Sequence, residues 1–256
     1  MTAFAGLLDL PPGLAALAIL TCFLAGLVRG FAGFGLSAVA MAVLASYLPP
    51  LELIPVFWFL EMAGSLVLMK GGWADAHRPT ARLLIVSAGV GLPLGLIATM
   101  AIAPETSKLI ALSLLVILAF AQLSRIRIPA LDHPSGAGIA GLTGGIITGL
   151  AGAGGMFVAL YTLARDLPAR TMRGTMNIFL LGGGTVGLVT HLVLGTMTPE
   201  AVSRGILLIL PALAGVFAGR ALFTPRWERY YKPACLLLVI GLALTGLARL
   251  MFGATP

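Results

Sequence analysis

Two glycine-rich segments, LVRGFAGFGLS and IITGLAGAGGMF, carry the strongest chemical signal in the sequence. Each interrupts an apolar run, and a helix that restarts after such a break directs unpaired backbone N–H groups and the positive end of its dipole toward the break. Anions bind at such helix starts. We therefore predict an anion site whose donors include the backbone N–H groups of Phe34, Gly35, Gly154 and Gly155. Close helix packing of the small-xxx-small type is the competing interpretation of these glycines.

Arg29 is the charged residue nearest to the first glycine segment, one position before Gly30. If the chain turns back inside the protein at this point, the guanidinium can bind a planar or tetrahedral oxyanion, because its N–H groups form a matching fork. If the chain instead emerges into solvent, Arg29 is an ordinary turn residue. The corresponding residue of the second segment is Thr148, a neutral hydroxyl donor.

Three further polar residues lie in apolar surroundings. Asn177 follows a basic turn, and its amide can donate to an anion or join two helices. Glu61 and His191 are ionisable residues within long apolar runs, so they are candidates for a proton relay or for an ion pair. His191 lies near the end of its run, so the alternative interpretation is an imidazole that is simply exposed to water. Ser37 and Ser65 are weaker candidates for the site.

Enzyme motifs are missing from the sequence. It contains no H-E-x-x-H pair, no G-x-S-x-G elbow and no cluster of carboxylates. Cys22 and Cys235 lie in apolar runs, where a thiol behaves as a small hydrophobe. We predict no catalytic residue, no metal and no cofactor. The predicted substrate-binding residues are Arg29, Gly33, Phe34, Gly35, Gly152, Gly154, Gly155 and Asn177.

The composition is that of a membrane protein. Hydrophobic residues make up 59% of the chain and charged residues 10%, where a soluble domain has about a quarter charged, and the mean hydropathy is +1.05. The net charge of +7 lies in short basic clusters between apolar runs, which is typical of topology signals rather than of nucleic-acid binding. The partners that we predict are therefore the lipid bilayer and a small anion, with a second copy of the chain as a candidate homodimer partner.

Ten apolar stretches organise the chain, five in each half. The third and fourth of each set approach the ~20 residues that a transmembrane helix needs, and the first two are shorter and contain glycine. The stretches are 14–28, 35–48, 51–69, 80–101 and 107–123, then 138–147, 155–164, 175–194, 201–222 and 233–250. The first run lacks a basic segment before it and a cleavage site after it, so we expect it to be retained.

The two halves repeat at an offset of 119 positions, the distance from Gly30 to Gly149. Over 26–49 this offset superposes four glycines, and it places Pro49 on Pro168. We predict a first repeat over 1–123, a cytoplasmic linker over 124–136 and a second repeat over 137–256.

Basic clusters mark the cytoplasmic connections, because cytoplasmic loops carry an excess of Lys and Arg. Placing all of them inside leaves both termini outside and gives the two repeats opposite orientations. We thus predict an inverted repeat, as in many secondary transporters. The basic residues are Lys70, Arg78 and Arg82, then Arg125 and Arg127, then Arg165, Arg170 and Arg173, and finally Arg220, Arg226, Arg229 and Lys232.

The duplicated motif G-x-x-x-G-x-x-G-x-G-G resembles that of the sulfite exporter TauE/SafE family of bacterial membrane proteins. Its copies are GLVRGFAGFGL, which begins at Gly26, and GIITGLAGAGG, which begins at Gly145. The first copy departs from the pattern by ending in Leu36 instead of glycine. The resemblance extends over nearly the whole chain in length and span pattern, and it implies transport of sulfite, of sulfonates such as sulfoacetate, or of related sulfur anions across the bacterial inner membrane.

These observations together predict an all-α polytopic helical bundle that works as a secondary transporter of a small sulfur-containing anion. The alternatives are a passive anion channel, which broken helices and duplication permit equally, and an intramembrane enzyme, which the missing motifs disfavour.

Overall fold

The structure, a computed structural model, describes residues 8–124, 126, 136–165, 168–222 and 228–252. Within these ranges it consists of helices and their connections, without a β-strand, which confirms the predicted all-α bundle. The helices are α1 (Pro12–Ala32), α2 (Leu36–Leu44), α3 (Pro50–Asp75), α4 (Arg78–Ala101), α5 (Pro104–Leu123), α6 (Gly136–Ala151), α7 (Gly154–Ala164), α8 (Ala169–Val193), α9 (Pro199–Ala221) and α10 (Glu228–Phe252).

Seven of the described helices, namely α1, α3, α4, α5, α8, α9 and α10, are long and apolar enough to cross a membrane. Large apolar side chains on their outer faces are exposed, among them Val86, Ile117, Val193 and Leu210. A soluble protein rarely exposes so extended an apolar surface, whereas lipid tails cover it without cost. The chain is a multi-pass membrane protein.

Of the three other described helices, α6 has 16 residues, and α2 and α7 are far too short to cross. With a rise of about 1.5 Å per residue, the 9 residues of α2 and the 11 residues of α7 span only about 14 Å and 17 Å of a hydrocarbon core about 30 Å thick. Both lie largely buried within the bundle, where irregular backbone at membrane depth is tolerated. The chain therefore breaks inside the protein at both glycine segments.

Proline and glycine mark the helix ends. Proline lies in the first turn of α1, α3, α4, α5 and α9, where the N–H that it lacks would have no intrahelical acceptor. Gly33 ends α1 with φ +83°, and its N–H bonds the carbonyl of Arg29. Gly152, which follows α6, has φ +63°. A residue with a Cβ rarely adopts this left-handed conformation, so each break is encoded by a glycine.

Other glycines of the same segments let helices pack closely. A Cβ on Gly26 would lie 2.1 Å from the carbonyl oxygen of Ala212, which places α1 directly against the backbone of α9. A Cβ on Gly145 would lie 2.5 Å from the carbonyl oxygen of Ala88, and α6 packs against α4 in the same way. The glycine segments thus serve both of the uses that their sequence permits, close packing before the break and a left-handed cap at the break.

The offset of 119 positions also relates helix boundaries. Ala32 and Ala151 end α1 and α6, and Pro50 and Ala169 begin α3 and α8. The packing is reciprocal, because the first helix of each set packs most extensively on the fourth helix of the other set. The opposite orientation of the two sets in a membrane stays a prediction.

The structure corrects several boundaries, among them two at the first glycine segment. The first apolar element does not stop at Val28 but continues to Ala32, so Arg29 and Gly30 lie in the last turn of α1 and not in the break. The second element is a 9-residue helix that ends at Leu44. Most of the linker predicted over 124–136 lies outside the described residues, as do Arg125, Arg127, His133 and Arg226.

Candidate functional site

A central cavity of about 100 Å³ lies between α3, α4, α6, α7 and α8. Its polar lining comes from Ser37, Trp58, Glu61, Thr148 and His191. The rest of the wall consists of apolar side chains and of glycines from the second half of the chain, including Gly152 and Gly155. Because one water needs roughly 10–15 Å³ on a comparable measure, the cavity has room for a small polyatomic ion.

One backbone N–H in the first turn of α2 donates to a carboxylate at the edge of this cavity. Ser37 is the second residue of α2, and its backbone N–H donates to Oε1 of Glu61 at 3.2 Å. The Ser37 hydroxyl donates to the same oxygen at 2.9 Å. Glu61 reaches this position from α3, about 16 Å along that helix from Pro50 at the standard rise. A carboxylate of the protein itself therefore caps the helix start that the sequence predicts as an anion site.

Arg29 is completely buried and lies behind Glu61. Its Nη2 donates to the Ser65 hydroxyl at 2.7 Å, and its Nη1 donates to the carbonyl of Gly33 at 3.3 Å. Nη1 also lies 2.9 Å from Oε2 of Glu61, an ion-pair distance, although within the described residues Oε2 has no partner at hydrogen-bond geometry. We regard the contact as an ion pair, since at this distance and burial the opposite charges stabilise each other whatever the N–H angle.

Asn177 joins this network from α8. Its Nδ2 donates to the backbone carbonyl of Ser65 at 3.1 Å, so Asn177 and Arg29 meet on the same residue of α3. The amide oxygen Oδ1 of Asn177 is buried and accepts no hydrogen bond from any described residue. Asn177 thus connects α8 to α3, as a helix-joining amide does, and retains one unused acceptor.

The second break presents a different surface to the cavity. α7 begins at Gly154, so its first N–H groups have no acceptor within the helix. Gly155 lines the cavity, and a Cβ there would lie 3.5 Å from Cδ2 of Leu180. Gly154 is enclosed, because a Cβ on it would lie 2.0 Å from both the Gly144 carbonyl oxygen and the Thr148 hydroxyl. Leu180, which is 119 positions after Glu61, thus lies beside the start of α7, where Glu61 lies beside the start of α2.

The remaining glycine-segment residues face away from the cavity. Phe34 and Gly35 border a small apolar gap of about 20 Å³ against α10, together with Val28 and Cys235. Gly33 lies against the side chain of Arg173, whose Nη2 donates to the carbonyl of Phe31 at 2.7 Å. Of the predicted glycine-segment residues, Gly152 and Gly155 therefore line the cavity, whereas Gly33, Phe34 and Gly35 do not.

His191 closes one end of the cavity. His191 is only 2% exposed, so the alternative interpretation, an imidazole exposed to water, is wrong. Its Nδ1 lies 2.7 Å from the hydroxyl oxygen of Thr196 in the connection to α9. Thr196 in turn borders a larger cleft of about 420 Å³, which Glu52 and Arg204 line with charge. The His191–Thr196 pair stands between the central cavity and this cleft.

Trp58 is the site residue that sequence patterns do not single out, and Ser65 is one that they give only as a weaker candidate. Ser65 lies four positions after Glu61, and residues with that spacing share one face of a helix. That spacing is a usable signal for Ser65. Trp58 lines the cavity and donates its indole N–H to the Gly184 carbonyl at 2.7 Å, which joins α3 to α8 and has no local sequence signature.

Comparison with known proteins agrees with this architecture. The family model described as Sulfite exporter TauE/SafE matches residues 18–246, a range that includes both breaks, the cavity and the Arg29–Glu61 pair. Neither a curated protein nor a solved structure matches the chain. Since the family match extends over nearly its whole length, the chain belongs to the sulfite exporter TauE/SafE family.

Proposed function

We propose that this chain is a secondary transporter that carries a small sulfur-containing anion, sulfite or an organosulfonate such as sulfoacetate, across the bacterial inner membrane. Membership in the family implies transport of sulfite-type anions across a membrane. The observation that carries the proposal is the central cavity, which places polar donors and the start of α7 inside a bundle of membrane-spanning helices.

The chemistry of the cavity suits an oxyanion. An anion that leaves water must replace its lost hydrogen bonds, or its transfer costs several kcal/mol. The wall contains the Ser37 and Thr148 hydroxyls, the Trp58 indole, the His191 imidazole and the start of α7 near Gly155. In this conformation the two hydroxyls and the indole donate to Glu61 and to the carbonyls of Gly144 and Gly184, so an anion is bound by the imidazole and the start of α7 or takes over one of these bonds. Apolar side chains fill the remaining wall, and they can cover a short organic group attached to a sulfonate.

A carrier agrees better with this geometry than a channel does. The cavity is small, and the buried His191 and the Thr196 hydroxyl lie between it and the cleft near Arg204. A pore needs a continuous aqueous path, whereas alternating access exposes a central site to one side at a time. Saturable flux with counterflow supports the carrier, and conductance that does not saturate supports the channel.

Glu61 and His191 both line the cavity and are its ionisable side chains within the described residues. We infer that they remain the candidates for a proton relay. Simultaneous recording of substrate flux and of lumenal pH in proteoliposomes tests this role. Substrate flux that moves no protons under any gradient would remove it.

The experiment that tests the proposed function is uptake of radiolabelled sulfite into proteoliposomes that contain the purified chain, with empty liposomes as control. Competition by unlabelled sulfoacetate, isethionate, taurine, sulfate and chloride then ranks the substrates. We expect saturable uptake that sulfite and at least one sulfonate inhibit. Uptake equal to that of empty liposomes, with every one of these anions, contradicts the proposal.

A further inference from the structure

The start of α2 already holds an anion, which is the side chain of Glu61. Its Oε1 accepts two hydrogen bonds from Ser37, and its Oε2 lies 2.9 Å from the Arg29 guanidinium. A backbone N–H at a helix start, a hydroxyl and a guanidinium are the donor types that oxyanion sites use. The carboxylate thus completes a binding site for a small oxyanion.

The carboxylate is attached to this site by a flexible tether and can leave it. Glu61 borders the central cavity, and its side chain is 16% exposed while that of Arg29 is 0% exposed. Three side-chain torsions of a glutamate separate its carboxylate from the backbone, so a rotamer change can carry the group into the cavity while α3 stays in place. The donors are more rigid, because Arg29 is also fixed by Ser65 and by the carbonyl of Gly33.

The second half of the chain shows that this charge pair is not needed to build the break. At the offset of 119 positions, Thr148 corresponds to Arg29 and Leu180 corresponds to Glu61. α6 and α7 nevertheless form the same helix, glycine cap and short helix. A buried ion pair is costly to desolvate and often stabilises a fold no more than apolar residues would. The pair therefore needs an explanation other than folding.

We propose that Glu61 is a tethered competitor of the transported anion, and that the anion binds in its place on the Ser37 N–H, the Ser37 hydroxyl and Arg29. The identity of the anion as a sulfite-type ion rests on the proposed function, whereas the site itself rests on the donors described above. Two oxygens of a sulfite or sulfonate head group can take the places of the two carboxylate oxygens, one on the Ser37 N–H and hydroxyl and the other on Arg29. The anion then contacts Arg29, which does not itself line the cavity and meets its wall through Glu61.

This arrangement makes a prediction that a purely structural ion pair does not. Removing the carboxylate removes the competitor and leaves its donors in place, so a small oxyanion binds more tightly. A structural pair has the opposite behaviour, because its removal destabilises the fold and creates no affinity for an added anion.

Binding of sulfite and of nitrate to the purified full chain in detergent, at constant ionic strength, tests the proposal. Isothermal titration calorimetry reports binding, and the anion-dependent rise in melting temperature reports it independently. The variants are Glu61→Gln, which keeps the shape and removes the charge, and Glu61→Ala, which removes the competitor. Glu52→Gln is the matched control, since it removes a carboxylate from the same helix at its exposed contact with Arg204.

We expect anion affinity to increase from wild type to Glu61→Gln to Glu61→Ala, by roughly tenfold or more in total, which corresponds to about 1.4 kcal/mol. Glu52→Gln should bind like wild type, and Arg29→Gln combined with Glu61→Gln should lose the gain. Glu61→Ala that is stable only in the presence of an added oxyanion also supports the site.

Equal or weaker anion binding by both folded Glu61 variants overturns the inference, even if the wild type transports sulfite. Conversely, if the wild type neither binds nor transports any sulfur anion while Glu61→Ala binds nitrate or sulfite tightly, the tethered-competitor site stands and the proposed substrate is wrong. The two proposals therefore fail separately.

Discussion

The Arg29 guanidinium donates from Nη2 to the hydroxyl oxygen of Ser65 at 2.7 Å, across the contact between α1 and α3. Both residues are 0% exposed. A charged donor in such surroundings depends on each of its acceptors, because no water replaces a missing one. The hydroxyl of Ser65 therefore fixes the position of Arg29 relative to Glu61.

Replacing Ser65 by Ala should destabilise the protein by about 1–3 kcal/mol, since it leaves a buried charged donor without its acceptor. Ser107→Ala is a matched control, because Ser107 is also buried in a membrane-spanning helix but its hydroxyl has no hydrogen-bond partner among the described residues. Thermal unfolding in detergent should show a lower melting temperature for Ser65→Ala than for Ser107→Ala. Equal melting temperatures would mean that the Ser65 contact does not stabilise Arg29.

Replacing Arg29 by Gln should abolish anion uptake and also lower stability by up to about 3 kcal/mol, the lower end for breaking a buried pair, because it leaves the partly buried carboxylate of Glu61 without its counter-ion. The double variant Arg29→Gln with Glu61→Gln removes both charges, so we expect it to recover most of the stability but none of the uptake. Arg82→Gln, at an exposed position of α4, controls for loss of positive charge.

Unfolding curves and proteoliposome uptake, measured on the same preparations, separate the two effects. A double variant that transports normally would show that Arg29 only balances the charge of Glu61. The same measurement on Arg226→Gln, for which the sequence predicts little effect, provides a second control.

Replacing Gly155 by Ala should preserve folding and reduce uptake. The added methyl group would lie in the cavity wall at an ordinary 3.5 Å contact with Leu180. Gly154→Ala should instead prevent correct folding, as should the bulkier Gly154→Val, because the Cβ would overlap the Gly144 carbonyl oxygen at 2.0 Å. Size-exclusion profiles and melting curves distinguish the variants, and normal uptake by a well-folded Gly155→Ala would place the substrate elsewhere.

If the two repeats are inverted, as the sequence predicts, equivalent residues are exposed on opposite sides of the membrane. Ala103 and Leu222 are 119 positions apart, and both are exposed at helix ends. In a background with Cys22 and Cys235 replaced by Ala, Ala103→Cys should react with a membrane-impermeant maleimide added outside cells. Leu222→Cys should react only after the membrane is opened. Labelling of both from the same side would contradict the charge-based topology.

The helices were largely predictable from the sequence, because apolar length and glycine or proline punctuation are local signals. The bounds of α1 were not, since the sequence offers both Gly30 and Gly33 as its end. Only the packing decides between them. Gly30 lies against the α9 backbone near Val216, and Gly33 adopts the left-handed cap.

The candidate site was predictable in type but not in arrangement. Arg29, Glu61 and Asn177 are conspicuous in the sequence as polar residues in apolar runs. The contact of Glu61 with Ser37, however, joins residues 24 positions apart on two helices. The periodicity of a single helix cannot predict a contact between two helices. The sequence thus predicts an anion at the start of α2, whereas the structure places the carboxylate of the protein itself there.

The unequal charge of the two halves has a kinetic consequence. In a carrier with oppositely oriented repeats, exchanging the conformations of the repeats converts the form open to one side into the form open to the other. Arg29 and Glu61 have no charged counterparts at Thr148 and Leu180, so this exchange does not regenerate an equivalent molecule. The two forms then differ in free energy and in population. We expect a rectifying carrier, whose half-saturating substrate concentration differs between the two faces of the membrane.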